Sequence, residues 1–177
     1  MKFIIYIFPL FLIFACAKQE MKTYKKYDGP MLVGYDIFTN YSDSGIIKLQ
    51  MWAPEQQELE TGDRVFPKGI KIDFFEKGKV STTLTSKHAT FSKITGIYTV
   101  RNNVEIVSTD KKKKLNTEEL KWMPLLHKVK IEKDKFVRIQ TQSEVLTGMG
   151  LDANEDFKWY KITNPQGVFA VQKQEGN

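Results

Sequence analysis

The sequence predicts an all-β protein whose antiparallel strands fold over one apolar interior. First, short stretches alternate between apolar and polar residues with the period of two that is typical of strands, as in residues 137–141. Second, polar turn-like stretches separate these strands. Third, a strand–turn–strand pattern recurs every 31 residues, at Leu84, Leu115 and Leu146. No long amphipathic helix competes with this interpretation.

The start of the chain predicts export and a lipid anchor. Residues 3–15 form an unbroken apolar run behind Lys2, which is too short to span a bilayer but matches the core of a secretory signal peptide. Cys16, the only cysteine, follows the small residue Ala15 and resembles the acylated cysteine of a bacterial lipoprotein. We therefore expect a signal peptide at 1–15. An ordinary signal peptide with an incidental cysteine, or a signal anchor, is the alternative.

The remaining chain predicts a tether followed by one domain. Residues 16–30 are polar and end in Gly29-Pro30, so we expect a tether on the lipid anchor, then a domain at 31–172 and a tail at 173–177. A chain of 177 residues suits a single domain, and without a second cysteine an ordinary core must hold it. The net charge of +6 permits anionic partners such as phosphate-bearing lipids without requiring them.

The recurring unit pairs an alternating β-branched strand with a later leucine strand. The β-branched residues are Ile70, Ile72, Val104, Ile106, Val137 and Ile139. Turn-like stretches at 76–79, 110–114 and 142–144 separate the two strands of each unit. This period predicts stacked hairpins with one continuous core, and chance similarity among strands is the alternative. Asn116 and Glu119 have the spacing of a helix capping box, but their repeat partners favour a strand.

The third copy of the unit contains two glycines, Gly148 and Gly150. Earlier copies carry ordinary side chains at the matching offsets, which are residues 86–88 and 117–119. A glycine inside a strand usually marks a bulge or the close approach of another backbone. We therefore expect the final strand to bend here, or to admit a close backbone or acyl-chain neighbour.

Several segments carry a resemblance to a known family. They are LNTEELKW at 115–122, VRIQTQSEVLTGMGLDANEDFKWYKI at 137–162, YSDSGIIKLQMWAP at 41–54, LTSKHATF at 84–91 and NNVEI at 102–106. In order and spacing they resemble the lipopolysaccharide export protein LptC, in the form in which a lipoprotein signal replaces a transmembrane helix. The resemblance covers residues 27–171. Asn102-Asn103 stands where the family often has Gly-Asn.

The resemblance implies both a fold and a function. The family's fold is a twisted, V-shaped β-jellyroll of antiparallel strands. Its members are periplasmic subunits that take lipopolysaccharide from an inner-membrane ABC transporter and pass it to the soluble bridge protein LptA. We therefore expect a periplasmic chain that is lipid-anchored through Cys16, most simply to the inner membrane. Its partners would be the acyl chains of lipid A, the transporter, the membrane and an LptA-like protein, and not nucleic acid.

A lipid carrier needs an apolar trough, and a sheet bent into a V supplies one. The candidate lining residues are Ile72, Phe74, Val104, Ile106, Val137, Ile139, Leu146, Tyr160 and Ile162. Each is also compatible with ordinary core packing. Burial of acyl carbons at about 25 cal/mol per Å² is favourable and non-directional, so such a trough can pass lipid along without chemistry.

Three further surfaces are candidates for contact with partners. Outer strands at 35–51 and at 159–171 are expected to join neighbouring proteins by strand addition, unless they are capped or too short to pair. The lysine run at 111–114 occupies a recurring turn. It is either a solvated hairpin tip or a contact to lipid phosphates.

The sequence offers little support for catalysis, a cofactor or a metal. His88 and His127 are the only histidines, and neither has a carboxylate beside it in the sequence. Residues 152–156 imitate the opening of a calcium loop, but Phe157 replaces the required glycine, so we expect a polar turn. Two alternatives to lipopolysaccharide transfer stay open: a lipoprotein that binds another hydrophobic ligand, or a β-rich assembly scaffold. An envelope enzyme would need clustered catalytic groups that the sequence does not show.

Overall fold

The computed structural model describes residues 27–109, 112–155, 157 and 159–169. Strands make up most of this part of the chain, and its one helical element is the short 3₁₀ turn Pro124–Leu126. The predicted all-β antiparallel fold is confirmed. Cys16, the signal peptide and the tail lie outside the described residues, as do Asp110 and Lys111 of one predicted turn.

Among the described residues, twelve strands form one antiparallel meander. They are β1 (Leu32–Asp43), β2 (Ile46–Glu58), β3 (Arg64–Phe66), β4 (Ile70–Glu76), β5 (Lys79–Ser86), β6 (His88–Ser92), β7 (Ile97–Ser108), β8 (Lys113–Met123), β9 (Lys128–Gln140), β10 (Glu144–Asn154), β11 (Tyr160–Ile162) and β12 (Gln166–Phe169). Three pairs of shorter strands lie end to end: β3 and β4 along β2, β5 and β6 along β7, and β11 and β12 along β10. Each long strand so formed pairs with the strands before and after it in the chain.

A bend at one level divides the long strands into two halves. The pairing register shifts between Arg101 and Val104 in β7, and between Met149 and Leu151 in β10. Backbone φ angles near this level are positive at Gly69, Asn102, Asn103 and Gly150. Glycine and asparagine tolerate this left-handed region better than other residues. We call the half that contains β4, β5 and β12 the first arm, and the half that contains β3, β6 and β11 the second arm.

The first arm carries an unbroken row of aliphatic side chains across its strands. Directly paired positions are Met51, Ile72, Leu84, Ile106, Leu115, Ile139 and Leu146. In each predicted repeat, the isoleucine of the first strand lies opposite the leucine of the second. The 31-residue period is therefore the spacing of three hairpins, β4–β5, β7–β8 and β9–β10, which share this row.

The second arm carries a row that is richer in aromatic residues and packs against the first arm. Its paired positions are Phe91, Tyr98, Trp122, Val129, Ala153 and Tyr160. The ring centroids of Phe74, from the first arm, and Trp122 lie 5.6 Å apart at an interplanar angle of 87°. This edge-to-face contact joins the inner faces of the two arms into one core.

The two glycines of β10 serve the two purposes that the sequence suggested for them. A Cβ atom on Gly148 would lie 2.4 Å from Cγ2 of Ile162 and 2.6 Å from the backbone oxygen of Asn164, so the last part of the chain crosses closely here. Gly150 has a φ of +73°, and its Cβ would lie 3.0 Å from Cα of Lys133. Gly148 therefore admits a close neighbour, whereas Gly150 allows the bend.

The described sheet has two outer edges. β1 pairs only with β2, and β11 and β12 pair only with β10. The C-terminal edge predicted at 159–171 contains β11 and β12. The N-terminal edge predicted at 35–51 is too wide, because residues 49–52 of β2 pair with β4 and only β1 is unpaired on its outer side. Each edge leaves backbone groups that another strand can use.

Candidate functional site

The structure brings all nine predicted lining residues into one apolar interior. Seven of them are less than a tenth exposed, namely Ile72, Phe74, Val104, Ile106, Val137, Ile139 and Ile162. Leu146 and Tyr160 are partly buried and pack against the same core. These side chains therefore hold the two arms together, and their contact with a lipid stays a prediction.

Turns at the ends of the arms form two rims, which face each other on the side away from the bend. The first rim consists of the described residues that end the first arm, at 44–45, 77–78, 109, 112 and 141–143. The second rim consists of those that end the second arm, at 59–63, 93–96, 124–127, 155, 157 and 159. Phe74 lies two residues from the end of β4 and Trp122 one residue from the end of β8, so their contact is close to the rims. We call the line between the rims the slit, because the interior can open there.

A cleft leads into the interior at the C-terminal part of the slit. It is partly open to solvent and is lined by Ile106, Ser108, Lys113, Lys114, Leu115, Ile139, Phe157 and Tyr160. Its floor is apolar and belongs to the first arm, whereas Phe157 and Tyr160 come from the second. At the mouth, Nζ of Lys113 lies 5.0 Å from the centroid of the Tyr160 ring, which is a cation–π contact between the arms.

The mouth of the cleft carries both charged and neutral polar groups. Nζ of Lys114 lies 2.7 Å from Oε2 of Glu105, and this hydrogen bond is the main reason why the pKa of Glu105 lies below its usual value, although burial opposes it. Burial is the main cause of the raised pKa of Tyr160, and the charge of Glu144 adds to it. Lys114 and Glu105 alternate with the inward-facing Leu115 and Ile106, so their ion pair lies on the outer face of the sheet. At the mouth itself, the ammonium of Lys113 lies beside the neutral phenol of Tyr160.

One polar group of the interior has no hydrogen-bond partner among the described residues. The hydroxyl of Thr82 is buried and unpaired. Thr82 is the direct strand partner of Phe74 and of Ser108, so it lies on the inner face next to the cleft. A buried hydroxyl left unpaired costs roughly 1–3 kcal/mol, so a polar atom that reached it would be stabilised.

Sequence reasoning found only part of this cleft. Ile106, Ile139 and Tyr160 were among the predicted lining residues, but Leu115 and Phe157 were not. Leu115 could have been found, because the repeat places it opposite Ile106. Phe157 lies in a turn, outside any alternating pattern, so no periodic signal pointed to it.

The described residues offer little material for metal binding. No group of three or more His, Cys, Asp and Glu side chains in them could hold a metal ion. His127 does have a carboxylate neighbour that the sequence did not indicate, since its Nδ1 lies 2.6 Å from Oε1 of Glu155. Glu155 also accepts a hydrogen bond from the indole of Trp122 at 3.1 Å. Asn154 accepts one from the backbone N–H of Trp159 at 2.8 Å, as expected for a polar turn.

The described fold has two arms over one apolar interior and an unpaired strand at each edge. It is a β-jellyroll of the kind that the sequence resemblance predicts for lipopolysaccharide export. The family model described as "LptC: Lipopolysaccharide-assembly, LptC-related" matches residues 3–164. The chain belongs to this family and has a role in lipopolysaccharide transport. No curated protein matches the chain. In the part of the chain that the structure describes, no helix has the length and apolar character needed to cross a membrane.

Proposed function

We propose that the chain binds the acyl chains of lipopolysaccharide between its two arms and passes the lipid from an inner-membrane ABC transporter to an LptA-like bridge protein. The observation that carries this proposal is the aliphatic row of the first arm, which runs without a polar interruption from Met51 to Leu146. It nearly connects one outer edge with the other. A lipid tail that moves along the slit therefore meets apolar side chains on every strand it crosses.

Binding requires the arms to separate, because most of the lining residues are buried. Within the long strands, both arms share a continuous backbone at the bend. Across the slit, the described contacts are between side chains, such as Phe74 with Trp122 and Lys113 with Tyr160. An aromatic pair contributes about 0.5–1.5 kcal/mol beyond its buried area, and an exposed cation–π contact about 0.5–1 kcal/mol. Opening at the slit is thus less costly than opening at the bend.

The lysines at the mouth of the cleft suit the phosphates of a lipid A head group. Lys113 stands beside an apolar floor, so one molecule can place its tails inside and its phosphates outside. Lysine binds phosphate as a point charge. Lys114, the next residue, lies on the outer face of the same strand end and adds positive charge nearby.

The two edges and the chain start supply the remaining parts of the proposal. β1 is available for strand addition by the transporter, and β11 with β12 by the bridge protein. An acylated Cys16 would hold the domain at the periplasmic face of the inner membrane. The apolar run at 3–15 supports export, and the polar segment at 16–30 supports a tether.

Photocrosslinking of the full chain to lipopolysaccharide tests the proposal. A photoreactive residue at Ile139, which is buried in the interior, is expected to form lipid adducts, whereas the same group at the exposed Arg138 is the matched control on the opposite face of β9. Equal yields at the two positions, or none at Ile139, would contradict lipid transport through the slit. Adducts at Ile139 with phospholipid alone would favour a carrier of another hydrophobic ligand.

A further inference from the structure

The second rim exposes large apolar side chains at successive turns. Ile94 is 91% exposed in one turn, Leu125 is 86% exposed in the next, and Trp159 is exposed in the turn after that. Leu126, beside Leu125, is exposed as well. Single exposed apolar residues are ordinary, but several on adjoining turns mark an interaction surface.

These turns touch one another, so their exposed apolar side chains lie on neighbouring turns of one rim. A Cβ atom on Gly96, in the turn that carries Ile94, would lie 3.6 Å from Cδ1 of Leu125. In the next pair of turns, the backbone N–H of Glu155 donates a hydrogen bond to the carbonyl of His127 at 3.1 Å. We call the side chains of Ile94, Leu125, Leu126 and Trp159 the apolar strip.

The described domain begins at the same rim. The backbone N–H of Met31 donates a hydrogen bond to the carbonyl of Glu58 at 2.8 Å. Glu58 is also the strand partner of Arg64, and the 59–63 turn connects these two residues. Met31 and Leu32 are themselves exposed. The chain from Cys16 to Met31 can reach at most about 50 Å when fully extended. A lipid anchor on Cys16 would therefore limit how far this rim can lie from the bilayer.

The first rim differs in character. Lys77 and the adjoining Lys79 are exposed at its 77–78 turn, and Lys112 is exposed just before β8. Apolar side chains are exposed there as well, at Tyr41, Ile46 and Ile47 beside the 44–45 turn and at Val80. On the second rim, Glu60 and Asp63 lie in the 59–63 turn and Lys93 lies beside Ile94, so charges of both signs are present there.

We propose that the apolar strip lies in the headgroup region of a phospholipid bilayer. The inference rests on the lipid anchor of the proposed function, and it assigns a surface that the interior of the slit does not use. Tryptophan is favoured at the boundary between membrane and water because its ring is amphipathic. Lys93, beside Ile94, can extend its ammonium group toward the headgroups. This contact would hold one rim of the slit at the membrane surface.

Quenching of tryptophan fluorescence by brominated phospholipid tests the proposal. The full chain is reconstituted in phosphatidylcholine vesicles that contain no lipopolysaccharide and carry bromine near the headgroup end of the acyl chains. Trp159 and Trp52 are both exposed, but Trp52 lies on β2, away from the strip. Trp159→Phe is expected to remove most of the quenchable emission, and Trp52→Phe to leave it unchanged. Addition of salt should change the quenching little, because the contact is apolar.

A second set of variants keeps the test independent of Trp159. Ile94→Asp combined with Leu125→Asp is expected to reduce quenching several-fold, whereas Ile46→Asp combined with Val80→Asp on the first rim is the matched control. All four side chains are exposed, so the fold should be retained.

Equal quenching of Trp52 and Trp159, or none at all, would overturn the proposal. Quenching that appears only after the transporter is added would overturn it too, because the strip would then be a protein contact. Transfer of lipopolysaccharide is measured separately. Intact transfer without quenching would reject the membrane contact and leave the proposed function standing. Quenching without transfer would support the membrane contact and reject the proposed function.

Discussion

The two arms are made largely from the same long strands, yet their interiors are packed in different ways. The first arm places aliphatic side chains from each repeat in one straight row. The second arm relies on aromatic rings, with Tyr98 lying 4.6 Å from Phe91 and 5.0 Å from Trp122 between centroids. The 31-residue period runs through both arms, because Phe91, Trp122 and Ala153 of the second row are also spaced by it. The arms therefore differ in the type of side chain and not in periodicity: aliphatic side chains fill the first arm, whereas aromatic rings fill much of the second and meet the first at the slit.

The largest expected effect comes from the aliphatic row. Leu84 is 1% exposed and lies between Ile72 and Ile106 on the neighbouring strands. Leu84→Ala should lower the free energy of unfolding by roughly 2–5 kcal/mol, because it removes buried methyl groups and leaves a cavity. Denaturant unfolding of the full chain measures this.

Leu126→Ala is the matched control, since it makes the same chemical change on the exposed second rim. It should alter the unfolding free energy by less than about 0.5 kcal/mol. Similar losses in the two variants would show that the row is not the centre of the core and that the second rim is part of it.

The sequence predicted the first arm well because its signals are local and periodic. Alternation, turn residues and the 31-residue spacing each follow from strand geometry, and together they specified which hairpins share a core. The bend was less visible. Asn102 and Asn103 both adopt positive φ angles. Asn102 therefore takes the left-handed conformation at the position where the family often has glycine.

The site was predicted less completely, since it depends on contacts between distant strands. Alternation shows which side chains point inward, but not which inward residues of the two arms meet across the slit. Phe74 and Trp122 are 48 positions apart, and the repeat does not indicate that their rings are in contact. Ile94 and Leu125 are 31 residues apart, so the repeat places them in equivalent turns, but alternation does not show that these turns touch.

An intermediate effect is expected where the two arms meet. A double-mutant cycle with Phe74→Leu and Trp122→Leu should give a coupling energy of about 0.5–1.5 kcal/mol, because each single change removes one ring of the edge-to-face pair. Equilibrium unfolding of the full chain measures it. If the contact between Phe74 and Trp122 closes the slit, amide hydrogen exchange in β4 and β8 should also become faster in each single variant.

The control cycle combines Phe74→Leu with Phe136→Leu. Phe136 is exposed on β9, so these changes should be additive within about 0.5 kcal/mol. A coupling in the control cycle as large as that between Phe74 and Trp122 would mean that the effect spreads through the whole sheet and is not a property of the slit.

The smallest expected effect is a change in the pKa of one glutamate on each arm. On the first arm, the pKa of Glu105 is lowered mainly by its hydrogen bond from Lys114, and on the second arm that of Glu132 is lowered first by Lys121 and then by Lys130. Both folded-state pKa values are depressed. Each pair therefore contributes stability above the carboxyl's unfolded pKa and loses it as the pH falls through the folded value.

Lys114→Met should raise the pKa of Glu105 toward its usual value and leave that of Glu132 unchanged, which carbon NMR titration of the carboxyl groups can measure. Lys121→Met should raise the pKa of Glu132 only in part, because Lys130 lies 3.1 Å from the same carboxylate and still stabilises its charge. In these hydrogen bonds, Glu132 on the second arm keeps a second lysine partner after the substitution, whereas Glu105 on the first arm does not. An unchanged pKa of Glu105 in Lys114→Met, or an equal rise of the two pKa values in their respective variants, would contradict this difference between the arms.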